Sequence, residues 1–377
     1  MEKESMTIAV ILSHINKSTQ WSWLSREYKK NGVKHYFIIL NEHETLLEKD
    51  LIQIGTPVYF FKTAGKFSLL VNFFKVIRVL IAHRPDIVHT SLPYGNLIGQ
   101  SAAMATCISK RITTCENTSW AHDFQNTKQK IIDRFTFMVS RKIIATCETS
   151  KSYLVRAWHI KPDKIEVLNQ AMDPADYENI SEGNIREFQS QHGITQNDFV
   201  IGVVARFEFW KGHKYIIEAV DAIKSKIPGL RVVIVGSKGK DYEDIMKLIE
   251  QKGLGNTIHY LGFIDNLPLF FKSIDIHIHV PINEYVETFG LNIIEGMMAD
   301  CPQILTKSGI AATTAKHNQN CLVVNYCDPA QIVDAISLYY SDPILRKRLS
   351  ENARQDAAYF FSLRRKFEHS MQIYNSL

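Results

Sequence analysis

Two neighbouring runs, Ile274-Asp-Ile-His-Ile-His-Val-Pro281 and Glu287-Thr-Phe-Gly-Leu-Asn-Ile-Ile-Glu295, govern how the rest of the chain is read. The first is short, apolar and β-branched, and reads as a buried strand. The second leads into a helix-like run from Leu291 to Ala299. A carboxylate just before a helix, a glycine at its mouth and a second carboxylate inside it make a polar pocket floor. Such a floor suits sugar hydroxyls beside a phosphate, because the helix mouth offers free backbone N–H groups and the positive end of the dipole. The plain alternative is a solvated Glu pair flanking an ordinary strand–loop–helix.

Working outward, short apolar runs alternate with helical ones. Thr7–Ser13, Lys34–Leu40, Asp86–His89, Arg111–Thr114 and Lys142–Thr146 read as strands, with helices over Gln20–Asn31, Phe67–His83 and Gly95–Ile108 between them. A polar stretch, Glu178–Asp198, precedes a second series: strands at Phe199–Val204, Arg231–Val235, His259–Gly262, Ile276–Val280 and Pro302–Leu305, again spaced by helices. Short apolar strands separated by helices imply parallel sheets covered on both faces. The expectation is an α/β chain of two doubly wound, Rossmann-like domains. The first spans residues 1–175 and the second spans residues 176–356.

Composition agrees with this class. The 377 residues are 45% hydrophobic and 22% charged, enough to bury two cores. Charge is uneven: Met1–Gln170 carries 23 Lys and Arg against 14 Asp and Glu, whereas Ala171–Leu377 carries 21 against 25. A basic first half suits an anionic membrane face or an anionic lipid-linked acceptor. Nothing in the pattern calls for nucleic acid. The six cysteines form no C-x-x-C pair and no zinc spacing, which fits a reducing, cytoplasmic setting. The N-terminus begins a strand and has no long apolar region of a signal peptide.

The loop Gly202-Val-Val-Ala-Arg206-Phe-Glu-Phe-Trp-Lys211-Gly212 follows the first strand of the second domain. Ligands of open α/β sheets bind outside the carboxyl ends of strands. Arg206 supplies a planar fork and Lys211 a mobile point charge, and together they can neutralise a diphosphate leaving group. Taken alone, two surface cations would read the same way.

In this order and spacing, Arg206, Lys211, Glu287 and Glu295 resemble the retaining glycosyltransferases of family 4, which have the GT-B fold. Supporting segments are Val233-Ile-Val-Gly236, His259-Tyr-Leu-Gly-Phe263, Leu267-Pro-Leu-Phe-Phe271 with Asp275, and Glu295-Gly-Met-Met-Ala with Pro302. The resemblance implies two domains facing a central cleft, with a C-terminal helix at 357–377 that returns to complete the first domain. The second would bind a nucleotide-diphosphate sugar as donor substrate, with no other cofactor. Arg206 and Lys211 would contact the diphosphate, Glu287 the sugar hydroxyls and Glu295 the ribose. The N–H groups of Phe289, Gly290 and Leu291 would face the phosphates and sugar. No Asp-x-Asp triplet occurs, so the transfer is expected to need no metal. The acceptor would be a glycan or another, lipid-linked acceptor, and the pathway that of cell-surface polysaccharide or glycolipid.

The first domain follows the family less closely. Asp86-Ile-Val-His89 resembles its strand, and Ile165-Glu-Val-Leu-Asn-Gln-Ala-Met-Asp173 its linker, with Gln170-Ala171 where Asn-Gly is usual. The normally glycine-rich first loop is Ser13-His14-Ile-Asn16-Lys-Ser18-Thr19-Gln20, without a glycine. It offers His14, Asn16, Ser18 and Thr19 as acceptor contacts. Where the family often has a catalytic His, this chain has Glu116, with His122 six residues on as a substitute. Ser308-Gly309-Ile-Ala-Ala312-Thr313 lacks the family's Glu, and Asp300 replaces a usual glycine.

The apolar run from Lys66 to Leu80, with Lys75 and Arg78, reads as a sheet-covering helix in preference to a membrane-docking one, although peripheral contact with an anionic membrane fits the basic first half. His277 and His279 share one face of a strand and read as buried structure. The rival to an enzyme is a catalytically degenerate GT-B scaffold that binds a sugar nucleotide or a partner protein.

Overall fold

The computed structural model describes residues 6–116, 119 and 127–377. The chain forms two compact units: residues 6–171 with Leu363–Leu377, and Met172–Ser362. His122 lies outside the described residues.

The first unit is built on seven strands: β1 (Thr7–Ser13), β2 (Lys34–Asn41), β3 (Val58–Lys62), β4 (Ile87–Ser91), β5 (Lys110–Cys115), β6 (Lys142–Ala145) and β7 (Ile165–Val167). They pair in the order β3-β2-β1-β4-β5-β6-β7, every pair parallel. The order reverses between β1 and β4. Alternate residues of β1 serve the two faces: Ile8, Val10 and Leu12 pack in one core, Ala9 and Ile11 in the other. The helix Leu363–Asn375 joins this unit through Ile373 and Tyr374, and the Tyr374 hydroxyl meets Tyr28 Oη at 3.0 Å and His89 Nδ1 at 2.7 Å.

The second unit has β8 (Phe199–Val204), β9 (Leu230–Val235), β10 (Ile258–Gly262), β11 (Ile276–His279), β12 (Gln303–Leu305) and β13 (Leu322–Val323). Its order, β10-β9-β8-β11-β12-β13, is again all parallel and reverses between β8 and β11. That is the strand order of a dinucleotide-binding sheet, and the reversal opens a crevice at the carboxyl ends of the two central strands. Asp275 accepts from Val200 N at 2.8 Å and so pins β11 to β8 just ahead of their pairing.

The structure departs from the sequence reading in several places. The polar stretch 178–198 contains a helix, Glu182–Gln191, started by a capping box in which Ser181 and Asn184 satisfy each other's backbone. Its apolar contribution is small: Phe188 stacks edge-on against Phe270, with ring centroids 6.3 Å apart. The segment Ile165–Val167 is an edge strand, not only a linker, because its backbone pairs with β6. Other elements were not read at all, among them the helix Leu46–Ile54, capped by Thr45 and closed by Gly55, the half-buried edge strand β3, the helices Thr127–Val139 and Glu148–Trp158, and the edge strand β13. Asp300 takes the left-handed conformation (φ 55°) that a glycine usually fills, and its carboxylate is held by Lys272 at 3.3 Å and Arg354 at 3.0 Å.

Candidate active site

The residues singled out in the second unit leave the sheet where its order reverses. Arg206 and Lys211 lie on the loop after β8, and Glu287 on the loop after β11. Two contacts lock these loops together. Ile282 N donates to Trp210 O at 3.0 Å. Gly212, with φ 78°, lies so close to the Val280 carbonyl that no side chain fits between them.

Lys211 and Glu287 form an ion pair through Glu287 Oε2, with side chains only 14% and 13% exposed. The same oxygen is 3.1 Å from His279 Nε2. Burial pushes the Glu287 carboxyl up, but the Lys211 ammonium and the His279 hydrogen bond outweigh it and hold the group at about 2, well below the usual carboxylate range. Glu287 is therefore an anion throughout the neutral range. His279 is held below its ordinary value by burial and stays neutral.

Glu287 leads into the helix Leu291–Met298 through Gly290, whose φ of 90° favours glycine. No side chain caps this helix. The N–H groups of Phe289, Gly290 and Leu291 donate to nothing among the described residues. They form an open donor set at the positive end of a helix. Glu295 sits one turn further in. Burial raises its carboxyl to about 7, with no opposing cation, and it contributes to raising the Tyr177 hydroxyl. Arg206 is exposed, and its guanidinium has no hydrogen bond or ion pair among the described residues. The Ser308–Thr313 segment packs under the same loop, with Ile310 N on Phe289 O at 2.8 Å. The geometry thus joins Lys211 and Glu287 directly and leaves Arg206 and the helix mouth open.

Glu116 belongs to the first unit and directly follows β5. Ser91 Oγ donates to its Oε1 at 2.5 Å. Burial raises the Glu116 carboxyl, against the pull of Ser91 and Lys366. Lys366 comes from the C-terminal helix and donates to Gln20 Oε1 and Gln170 Oε1, both at 2.6 Å. Burial lowers its ammonium to about 7. In the first loop, Asn16 Oδ1 accepts from Leu46 N at 3.3 Å and Ser18 caps the first helix, so both serve structure. His14 is exposed, at φ 48°, with its ring 4.9 Å from that of Tyr94.

His279 and Asn292 were missed from sequence. Asn292 Nδ2 reaches both Val204 O and His279 Nδ1 at 2.8 Å. The one available signal was the position of His279 at the end of the strand before the acidic motif. Among the described residues, no group of three or more His, Cys, Asp or Glu could hold a metal ion.

Comparison with known proteins follows the same division. The family model for glycosyl transferases group 1 matches residues 184–356, and that for glycosyltransferase family 4 matches residues 22–176. The capsular polysaccharide biosynthesis glycosyltransferase CapM of Staphylococcus aureus is 24% identical over 358 residues, covering 92% of this chain and 91% of CapM. EpsD of Bacillus subtilis is 27% identical over 191 residues, or 51% of this chain, and the match spans about half (49%) of EpsD itself. Among solved structures, Anabaena Alr3699/HepE in complex with UDP and glucose superposes with a TM-score of 0.85 at 20% identity, over 99% of this chain and 100% of HepE. WaaG, a glycosyltransferase involved in lipopolysaccharide biosynthesis, gives 0.73 at 14% identity, over 99% of this chain and 100% of WaaG. Two matched family models, a relative along nearly the whole chain and a shared fold agree: the chain belongs to the family 4-type glycosyltransferases of GT-B fold.

Proposed function

We propose that this glycosyltransferase moves a sugar from a nucleotide-diphosphate donor to a glycan or lipid-linked acceptor with retention of anomeric configuration and without a metal. The observation that carries the proposal is the ionised Lys211–Glu287 pair beside three unused N–H groups at the sheet's switch point. A diphosphate would lie against those N–H groups and the free guanidinium of Arg206, with Lys211 donating its remaining N–H bonds. Negative charge grows on the diphosphate as the anomeric C–O bond breaks, so these groups act where the transition state needs them. The acceptor oxygen would bond to the anomeric carbon on the same face, and its proton would pass to the departing phosphate oxygen. Glu287 would accept from sugar hydroxyls and Glu295 from the ribose. Glu116 is assigned to the acceptor side, as a hydrogen-bond acceptor for the attacking hydroxyl.

The setting proposed is the cytoplasmic face of a membrane. In the first unit, the helices Gly65–His83, Pro93–Ala105 and Thr127–Val139 pack in sequence over one face of the sheet. Val76 and Leu80 of the first are buried, as a sheet-covering helix requires, yet its outer side exposes Phe67 (88%), Leu70, Val71, Phe74 and Ile81. Met104, Ile131 and Met138 are exposed on the other two helices. Lys75, Arg78, Lys128 and Arg134 accompany them, and the one carboxylate on these helices, Asp133, is buried. An apolar surface studded with cations and lacking exposed acid suits an anionic bilayer. Among the described residues no helix is long and apolar enough to cross one.

The test is release of nucleoside diphosphate from a panel of nucleotide sugars, with and without EDTA, followed by determination of product anomeric configuration. Retention with undiminished activity in EDTA is expected. Inversion, or activity lost in EDTA and restored by Mg²⁺ or Mn²⁺, overturns the mechanism. Donor binding with no turnover favours a degenerate scaffold.

A further inference from the structure

We infer that His279 is a positioning residue of the donor site: Asn292 holds it in the neutral Nε2–H tautomer, and it thereby fixes Glu287 with a single oxygen, Oε1, offered to the donor. The inference rests on the donor-site reading above and specifies which atoms carry it.

The Val204 carbonyl can only accept, and Asn292 Nδ2 lies 2.8 Å from it, so the amide's NH₂ must face that way. The second hydrogen of that NH₂ points at His279 Nδ1, also at 2.8 Å. Nδ1 therefore accepts, and a neutral imidazole must then carry its proton on Nε2. Nε2 lies 3.1 Å from Glu287 Oε2. A second proton would set an Nδ1–H against the Asn292 NH₂ group. The groups facing the ring are Glu287, Lys211, His277 and His213. Burial and Lys211 oppose charging, Glu287 alone favours it, and burial prevails.

Oε2 thus receives Lys211 and His279 together, which uses both of its lone pairs. Oε1 accepts from nothing among the described residues. The relay runs from the last residue of β8 (Val204), through the second residue of the helix (Asn292), to the last residue of β11 (His279). It therefore braces the two strands whose loops carry Arg206, Lys211 and Glu287. A carboxylate held in this way keeps one orientation whether or not a donor is bound, which is what preorganisation requires.

The experiment uses the full chain with ¹⁵N-labelled histidine, assigning His279 by the signal lost in His279→Gln. At pH 7 the long-range ¹H–¹⁵N spectrum should show a protonated Nε2 and an unprotonated Nδ1. An imidazolium, or a proton on Nδ1, overturns the inference. In Asn292→Leu the ring should lose this single tautomer, and an unchanged spectrum overturns the role of Asn292. With UDP-glucose as the probe donor, His279→Leu should lower kcat about ten- to a hundredfold through loss of a hydrogen bond to a charged group, while His279→Gln, which keeps an N–H donor, should recover most of it. Equal losses in both variants would reduce His279 to a packing role. Absence of turnover with every donor in the unsubstituted protein would refute the donor-site reading and leave the tautomer result standing.

Discussion

Replacing Glu287 by Gln removes one charge from an enclosed pair and strands the other. Holding the carboxyl at about 2 rather than the ordinary 4.5 is worth roughly 3 kcal/mol in favour of the ionised form. Because the folded value is depressed, this stabilisation is complete above pH 4.5 and is lost as the pH falls towards 2. At pH 7, Glu287→Gln should therefore destabilise the second unit by about 3 kcal/mol, in the range found when one partner of a buried pair is removed. Lys211→Met should cost a similar amount, since His279 alone would then face the carboxylate. The double variant leaves neither charge stranded, so its loss should fall short of the sum of the singles by about 2–3 kcal/mol. Urea unfolding at pH 7, followed by circular dichroism and by the fluorescence of Trp210, the second unit's single tryptophan, measures all four proteins. Losses that add to within about 0.5 kcal/mol would show that the two side chains are energetically independent and would refute the argument.

Glu295 should behave with the opposite sign. Its folded value is raised to about 7, so the stability it contributes is full below 4.5 and declines as the pH rises through 7. Glu295→Gln should therefore leave urea midpoints nearly unchanged at pH 5 and raise stability at pH 8 by up to about 3 kcal/mol. Arg206→Ala, at an exposed side chain without a partner, should keep its stability within about 0.5 kcal/mol yet lower turnover by about a hundredfold or more, because it removes a cation from the leaving group. Phe67→Asp and Phe74→Asp should each weaken sedimentation with phosphatidylglycerol vesicles at least about tenfold, given ~1.5–3 kcal/mol for a buried Phe, with little change in soluble donor hydrolysis.

Much of the fold was legible because its strands are short, apolar and fully buried. Phe199–Val204 and Ile276–His279 need no tertiary information to be found, and the loops that follow them carry the charged residues. Elements at the edges were harder. The strand Val58–Lys62 is half-buried, so its pattern is diluted, and the helix Glu182–Gln191 buries essentially one aromatic residue. The Ser181–Asn184 capping box was the cue that could have revealed that helix. At the site, Lys211 and Glu287 were named separately, 76 positions apart, and their direct pairing is a product of the switch-point topology. His279 was read as structural together with His277, because a strand's alternation says which face a side chain shares but not what lies beyond its end. Asn292 looked like any polar residue early in a helix. Its task depends on Val204, 88 positions away, and no local pattern announces that. The Lys366 contacts near Glu116 reach back 346 positions to Gln20, by way of a helix that returns to the first unit.

The account stands on the donor being gripped where β8 and β11 diverge. A crystal structure of the full chain soaked with a mixture of nucleotide sugars tests that most directly. The prediction is a diphosphate on the N–H groups of Gly290 and Leu291, flanked by Arg206 and Lys211, with a sugar hydroxyl on Glu287 Oε1. A nucleotide sugar seated away from these groups, with the Lys211–Glu287 pair untouched, would contradict it.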